Sequence, residues 1–446
     1  MKTHRRIHLG TICALALGCG SGAGQGDAAD DGVGSADTGT AASAEGSGGD
    51  ESGSTGGSAS GPASTSGPID PGPVLFDVGS IPDSPDIGGC GGGGGGGGDD
   101  GELKLSYIWI ANSSQGTISK IDTETMVEMG RYQARPLQGD PSRTSVNLSG
   151  DVAVANRNGG VAKFWADPED CVESNGIPGI QTSTGSGDVY AWGQDECLAW
   201  YTPMQCSSNR PVAWTRGTWD PVSCSWQDAK LWTACDSQVL LLDGETGDIE
   251  ETISLGGYAF VYGGAADADG NFWGLDTGGG RLFRVDGLDF TLGEWPLPVD
   301  ASSYGIAVDS HGRPWVCGGG GASRFNLDTS TWTSTQVGTG WGIGGCMTDG
   351  ESTLWHADYG TAVLYGFDID SLAVVGQIQL PMYVHGISVD FYGKVWGVSF
   401  AGSTAYRTDP VTQVVDTFGG LIGAYTYSDM TGHALLHAGG GGVPPG

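Results

Sequence analysis

Tyrosine, tryptophan, histidine and carboxylate side chains recur in this sequence at fixed offsets from one another. Residues 262–276 read Tyr-Gly-Gly-Ala-Ala-Asp-Ala-Asp-Gly-Asn-Phe-Trp-Gly-Leu-Asp; residues 304–318 and 385–399 follow the same plan, opening on Tyr304 and His385. Residues 341–358 follow it with about three extra residues before Trp355. Stacking the opening positions gives Ser142, Tyr262, Tyr304, Trp341, His385 and Ala424. The positions three beyond each Trp mark are Asn112, Asn156, Cys235, Asp276, Gly318, Asp358 and Ser399. Aromatic faces beside a few amide and carboxylate oxygens suit a sugar ring or a peptide side chain. Tyr262, Tyr304, Trp341, Asn112 and Asn156 are therefore the expected ligand contacts. Asp276 and Asp358 are the acids that could hold a metal ion, and His385 the residue that could act as a general base.

Other chemistries lack their signatures. There is no Gly-x-Ser-x-Gly elbow and no His-Glu-x-x-His helix, so serine hydrolysis and zinc proteolysis find no support. No P-loop Lys-Ser/Thr follows the glycine runs. No C-x-x-C or His-Cys cluster suggests zinc. Glu173-Ser174-Asn175-Gly176 with Ile180 is similar to a degenerate calcium loop, without the Asp ladder and closing Glu. The net charge of −33 argues against nucleic acid, which requires a cationic surface.

The elements that must position these residues are repeats. Each is a short strand, an Asp-x-x-Gly turn, a second strand carrying Trp, a third apolar strand and a Thr/Leu-rich fourth. Asp accepts backbone N–H groups in such a turn and Gly supplies positive φ. Four short antiparallel strands per unit make one propeller blade. Trp109, Trp232, Trp273, Trp315, Trp355 and Trp396 mark six units, and Ala153 replaces Trp in another; most steps are 40 to 44 residues. The step from Ala153 to Trp232 is 79 residues and implies an insertion at about 165–222. The expected fold is all-β, a propeller of seven blades over residues 105–437, with eight blades as the alternative. The first unit lacks its first strand, and Ala424–Asp429 would supply it, so that the C-terminal strand closes the N-terminal blade.

Basic residues at 2–6, an apolar stretch at 7–18 and Cys19 form a secretory signal. Leu15-Ala16-Leu17-Gly18-Cys19 resembles the lipobox of bacterial lipoproteins, where the cysteine becomes acylated. Residues 19–104 are mostly Gly, Ser, Ala, Thr and Asp with almost no large apolar side chains, a composition that stays disordered and tethers. The expectation is an exported monomer, lipid-anchored at Cys19, with no other membrane contact and a flexible tail at 438–446. Eight cysteines remain beyond Cys19, and an even number in an exported chain points to disulfides. Cys317 and Cys346 would face each other across neighbouring blades; Cys171, Cys197 and Cys206 bracket the insertion. Glycine, 83 residues in all, serves both the tether and the turns. The tether holds 14 acids and the signal three bases, which leaves −22 for residues 104–446.

With the repeats in register, the Gly-Ile-x-x-Asp-x-x-Gly-x-x-Trp motif resembles the NHL-like, seven-bladed propellers that include the streptogramin (virginiamycin B) lyases. In those enzymes a His opening one blade and a Glu fourteen residues on act with magnesium to open a cyclic depsipeptide by elimination. The resemblance matches His385 to the His, whereas the residue fourteen on is Ser399. The leading expectation is thus a binding protein for a peptide, glycan or protein partner at one channel mouth, with no cofactor. A magnesium-dependent C–O lyase is the alternative, and a structural surface protein the third.

Overall fold

The computed structural model describes residues 106–439 apart from 221, 224, 299–302 and 339–342. The signal sequence, Cys19, the tether, Trp341, Cys90 and Cys224 lie outside the described residues.

The turns form as the sequence dictates. Gly312 takes φ 73°, and its N–H donates to the Asp309 carbonyl at 2.9 Å. One Asp309 carboxylate oxygen accepts the N–H groups of His311 and Arg313 at 2.9 and 3.0 Å. The other accepts the indole N–H of Trp315 at 2.9 Å. Asp267 with Trp273, and Asp390 with Trp396, repeat that bond at 2.9 and 2.7 Å. The turn acid and the tryptophan six residues on are therefore one hydrogen-bonded unit, buried between sheets: Trp273, Trp315 and Trp396 are at most 1% exposed.

Five four-stranded antiparallel sheets follow one another, and a seven-stranded sheet joins the last four strands of the chain to its first three. First strands of successive sheets pack side by side, as around an axis. This is a β-propeller. The third strands of three successive sheets are Arg281–Val285, Gly321–Asn326 and Val363–Asp368.

Three features depart from expectation. Residues 165–222 are not all insertion: Leu198–Thr202 is the fourth strand of one sheet and Asn209–Trp214 the first strand of the next. The excursion is 165–197, plus the small hairpin of Thr218–Asp220 and Ser225–Gln227. Its close spacing of Gly, Pro and Cys hides the strand alternation. Second, the closing segment is not a regular strand. The strand Val415–Ala424 continues the last four strands and pairs with the first strand of the chain through Ala424 and Asn112. Beyond it the chain runs along Tyr107–Asn112 through Tyr425 N–H to the Ala111 carbonyl (3.0 Å) and Trp109 N–H to the Met430 carbonyl (2.9 Å). Third, a helix, His433–His437, follows. The Asp429 carboxylate holds its start by accepting N–H groups of Gly432 and Leu435 at 2.9 and 2.8 Å. The helix lines one end of the central channel, leaving a cavity of about 40 Å³ between Leu435, Asp429, Trp214 and Met347. That volume suits a few waters at most.

Among the described residues three disulfides form: Cys171–Cys197, Cys206–Cys235 and Cys317–Cys346. The last joins neighbouring sheets as expected, and the first staples the excursion. Among the described residues no helix is long and apolar enough to cross a membrane.

In four repeats glycine at the position after the opening residue, Gly263, Gly305, Gly345 and Gly386, lets first strands close around the axis. A Cβ on Gly386 would meet the Thr426 carbonyl oxygen at 1.9 Å. Gly386→Ala should therefore lower stability by about 1–3 kcal/mol, the cost of overpacking against backbone. Gly419→Ala, with nothing within 4 Å, should stay within about 0.5 kcal/mol. Urea unfolding of both variants checks this; equal losses would refute it.

Candidate functional site

The opening residues are placed by a slip in the ladder. Val261 pairs with Asp276 and Gly263 with Leu275, which leaves Tyr262 unpaired between them. The same slip isolates Ser142 between Pro141 and Arg143, and His385 between Val384 and Gly386. An unpaired residue of this kind is re-aimed out of the sheet. Tyr304 stands in the same register, just ahead of the Gly305–Cys317 pair.

The ladder also corrects three assignments. Ala424 pairs with Asn112, so the opening residue of the first repeat is Tyr425. In the Trp355 repeat, Cys346 pairs with His356 and Ala357 N–H donates to the Gly345 carbonyl. Gly344 therefore holds the position assigned to Trp341, and the repeat carries no extra residues. In the Trp232 repeat, Asn209 pairs with Cys235 and the slip releases Arg210. Arg210 was missed because its strand was read as insertion.

Tyr262, Tyr304, Tyr425, Tyr427, Tyr383 and His385 converge at this mouth. The Tyr262 hydroxyl donates to the Tyr304 oxygen at 2.5 Å and lies 2.7 Å from that of Tyr425. Tyr304 and Tyr425 hydroxyls also meet. Tyr383 donates its hydroxyl to the Ile343 carbonyl, so its oxygen is left to accept Nδ1–H of His385 at 2.9 Å. Nε2 of His385 then carries the lone pair, and accepts the Tyr304 hydroxyl at 2.7 Å. His385 is 0% and Tyr304 8% exposed. Burial, reinforced by Arg143, Arg157 and Arg210, holds the imidazole well below its usual pKa, so it is neutral. As general base His385 would act through Tyr304 rather than on a ligand directly. Phe400 and Phe260, both half-buried, pack on His385 and Tyr262 with centroids 4.8 and 5.8 Å apart. Tyr359 and Tyr258 stand exposed at the rim.

Arginines complete the floor. The Arg143 guanidinium lies over the Tyr427 ring, 3.2 Å from its centroid, and 5.0 Å from that of Tyr262. It donates to the carbonyls of Ser142 and Tyr262 at 3.1 and 3.2 Å. Arg210 lies 4.7 Å from the Tyr262 ring and Arg157 4.2 Å from that of Tyr425, geometries of cation–π attraction. Burial pushes the Tyr262 phenol up to about 12 and Tyr304 higher still. Burial also acts to raise Tyr425, but Arg143, the Tyr262 and Tyr304 hydroxyls and Arg210 outweigh it and hold that phenol below 10.

The remaining predicted residues lie elsewhere. Asn112 is fully buried, its amide donating to Ser119 Oγ (2.8 Å) and accepting from Ile422 N–H (2.9 Å). Asn156 is fully buried and donates to the Ala134 carbonyl at 3.1 Å. Both tie strands together. Asp276 accepts from Arg281 Nε at 2.9 Å and from the N–H groups of Phe260 and Gly279. Asp358 accepts from the Thr361 hydroxyl at 2.5 Å. Neither acid joins His385 in a metal-binding group, and among the described residues no three His, Cys, Asp or Glu side chains are placed to hold one. Glu196 organises the calcium-like segment: it accepts the N–H groups of Ser174, Asn175 and Gln181.

No protein-family model and no curated protein sequence matches this chain. Solved structures do. A streptogramin B lyase superimposes with TM-score 0.50 at 15% identity, over 66% of this chain and 87% of that one. Virginiamycin B lyase from Staphylococcus aureus, determined with quinupristin, gives 0.46 at 14% identity, over 64% and 87%. A β-propeller domain from Myceliophteria thermophila gives 0.48 at 12% identity, over 66% and 91%. What this chain shares with the streptogramin B lyase is the propeller fold.

Proposed function

We propose that this chain is an exported, lipid-anchored propeller that binds a peptide, glycan or protein partner in the aromatic cup at one channel mouth. The observation that carries this reading is the convergence of Tyr262, Tyr304, Tyr425, Tyr427 and His385 from four repeats onto one hydrogen-bonded floor. Half-buried phenols and phenyl rings around a polar centre offer both stacking faces and hydrogen-bonding groups. The three disulfides support an oxidising, extracellular setting. The lipobox-like Cys19 and the tether support anchorage that holds the cup away from a membrane. The protein should capture ligands on peptide or glycan arrays, and Tyr262→Ala or Tyr425→Ala should reduce that capture at least tenfold, the loss of one well-packed aromatic contact. Capture unchanged in both variants would dismiss the cup as the site.

A further inference from the structure

Arg143 is fully buried, yet no carboxylate answers its charge. The two other large cationic side chains buried to the same degree are paired: Arg131 with Glu128 at 2.7 Å and Lys163 with Asp151 at 3.4 Å. Arg143 has only two carbonyls and ring faces, and its Nε has no partner. Its position is unusual too. The equivalent residue is glycine in four other repeats, Gly263, Gly305, Gly345 and Gly386. Where those repeats leave the axis bare, this one sends a guanidinium beneath the tyrosines. Arg210, half-buried beside the same rings, has both Nε and Nη1 buried without a partner. Of the three guanidiniums here, only Arg157 has an acid, Asp140. Residues 104–446 carry −22, so this cationic floor opposes the sign of the domain around it.

An uncompensated buried charge is costly and is relieved by an opposite charge held in hydrogen-bonding geometry. Resting on the binding reading above, we propose that the cup recognises a carboxylate carried on a ring-bearing ligand. Arg210 and Arg143 meet the carboxylate, the Tyr262 and Tyr425 hydroxyls orient it, and Phe260 and Phe400 flank the ring. Two sources share that chemistry, an aromatic residue at a peptide C-terminus and an acidic sugar.

Titration calorimetry on the full chain tests this with four probes: N-acetyl-phenylalanine, its amide, glucuronate and glucose. At least one carboxylate should bind tenfold or more tightly than its neutral counterpart, the scale of a charge-assisted hydrogen bond. Which of the two does so identifies the source. Arg143→Gln and Arg210→Gln should each remove the preference; Arg210, being half-buried, keeps the test valid if the Arg143 variant does not fold. Equal binding of charged and neutral probes, or a preference surviving Arg210→Gln, overturns the carboxylate assignment. So does the absence of any binding together with unmoved Arg143 and Arg210 Nε–H resonances. The binding reading is separate: it falls only if the arrays capture nothing that Tyr262→Ala or Tyr425→Ala removes.

Discussion

Trp396→Ala should lower the free energy of unfolding by about 3–5 kcal/mol, the range for truncating a buried aromatic. The indole is 0% exposed and packs with Ile108, Ile110 and Val398. Two losses combine in it, since its N–H is also the 2.7 Å donor to Asp390 Oδ2. Asp390 is itself fully buried, and burial already pushes its carboxyl up. Trp396→Phe separates the losses: the ring is kept, the donor goes, and the expected cost is about 1–3 kcal/mol for a buried acceptor left short of a partner. Adding Asp390→Asn to Trp396→Phe should then cost less than the two single changes together, as for residues in direct contact. Urea unfolding of the four proteins checks this. If Trp396→Phe matches wild type, the indole–carboxylate bond is not part of what holds the repeat.

Acid should destabilise the domain well before its surface carboxylates titrate. Burial lowers His356 to about 4 and His433 to about 3, and holds His385 well below 6.5. Asp358 partly offsets burial at His356, whereas His437 adds to it at His433. In each case the unfolded chain binds a proton more readily than the folded one. The stability these groups contribute is therefore present above pH 6.5 and is lost as pH falls toward the folded values. For His356 the difference amounts to about 3 kcal/mol once pH reaches 4. Asp151, Asp390 and Asp429, all raised by burial, act in the opposite direction at the acid end. Unfolding free energy measured by urea at pH 7 and pH 4 should drop, and His356→Gln should shrink that drop by about 3 kcal/mol. A wild-type stability that is flat over this range, or an unchanged drop in the variant, would contradict it.

The fold was legible because its signals are local. An Asp, a Gly three residues on and a Trp three beyond that define a turn and the strand after it within ten residues. The same local pattern separated turn acids such as Asp309 from candidate ligands, and the offset between repeats placed Tyr262, Tyr304 and His385 in one ring. It failed where local pattern weakens. Glycine at 344 and 345 shifted one repeat onto Trp341, and the excursion before Leu198 concealed Asn209–Trp214 and with it Arg210. Asn112, Asn156, Asp276 and Asp358 share an offset with one another, but offset does not say which way a side chain's partners lie.

By itself, then, the sequence determined the β-propeller and which residue opens several of its strands, because both depend on hydrogen bonds spanning a few residues. Only the tertiary structure decided what those residues meet. The phenols of Tyr304 and Tyr425 are 121 residues apart in the chain, and Arg143 reaches the Tyr262 carbonyl across 119. Such contacts arise where strands from different repeats are brought around one axis, and their chemistry depends on the water excluded there. Burial leaves His385 neutral, raises Tyr304 and leaves the Arg143 charge without a carboxylate. No spacing between residues carries that information.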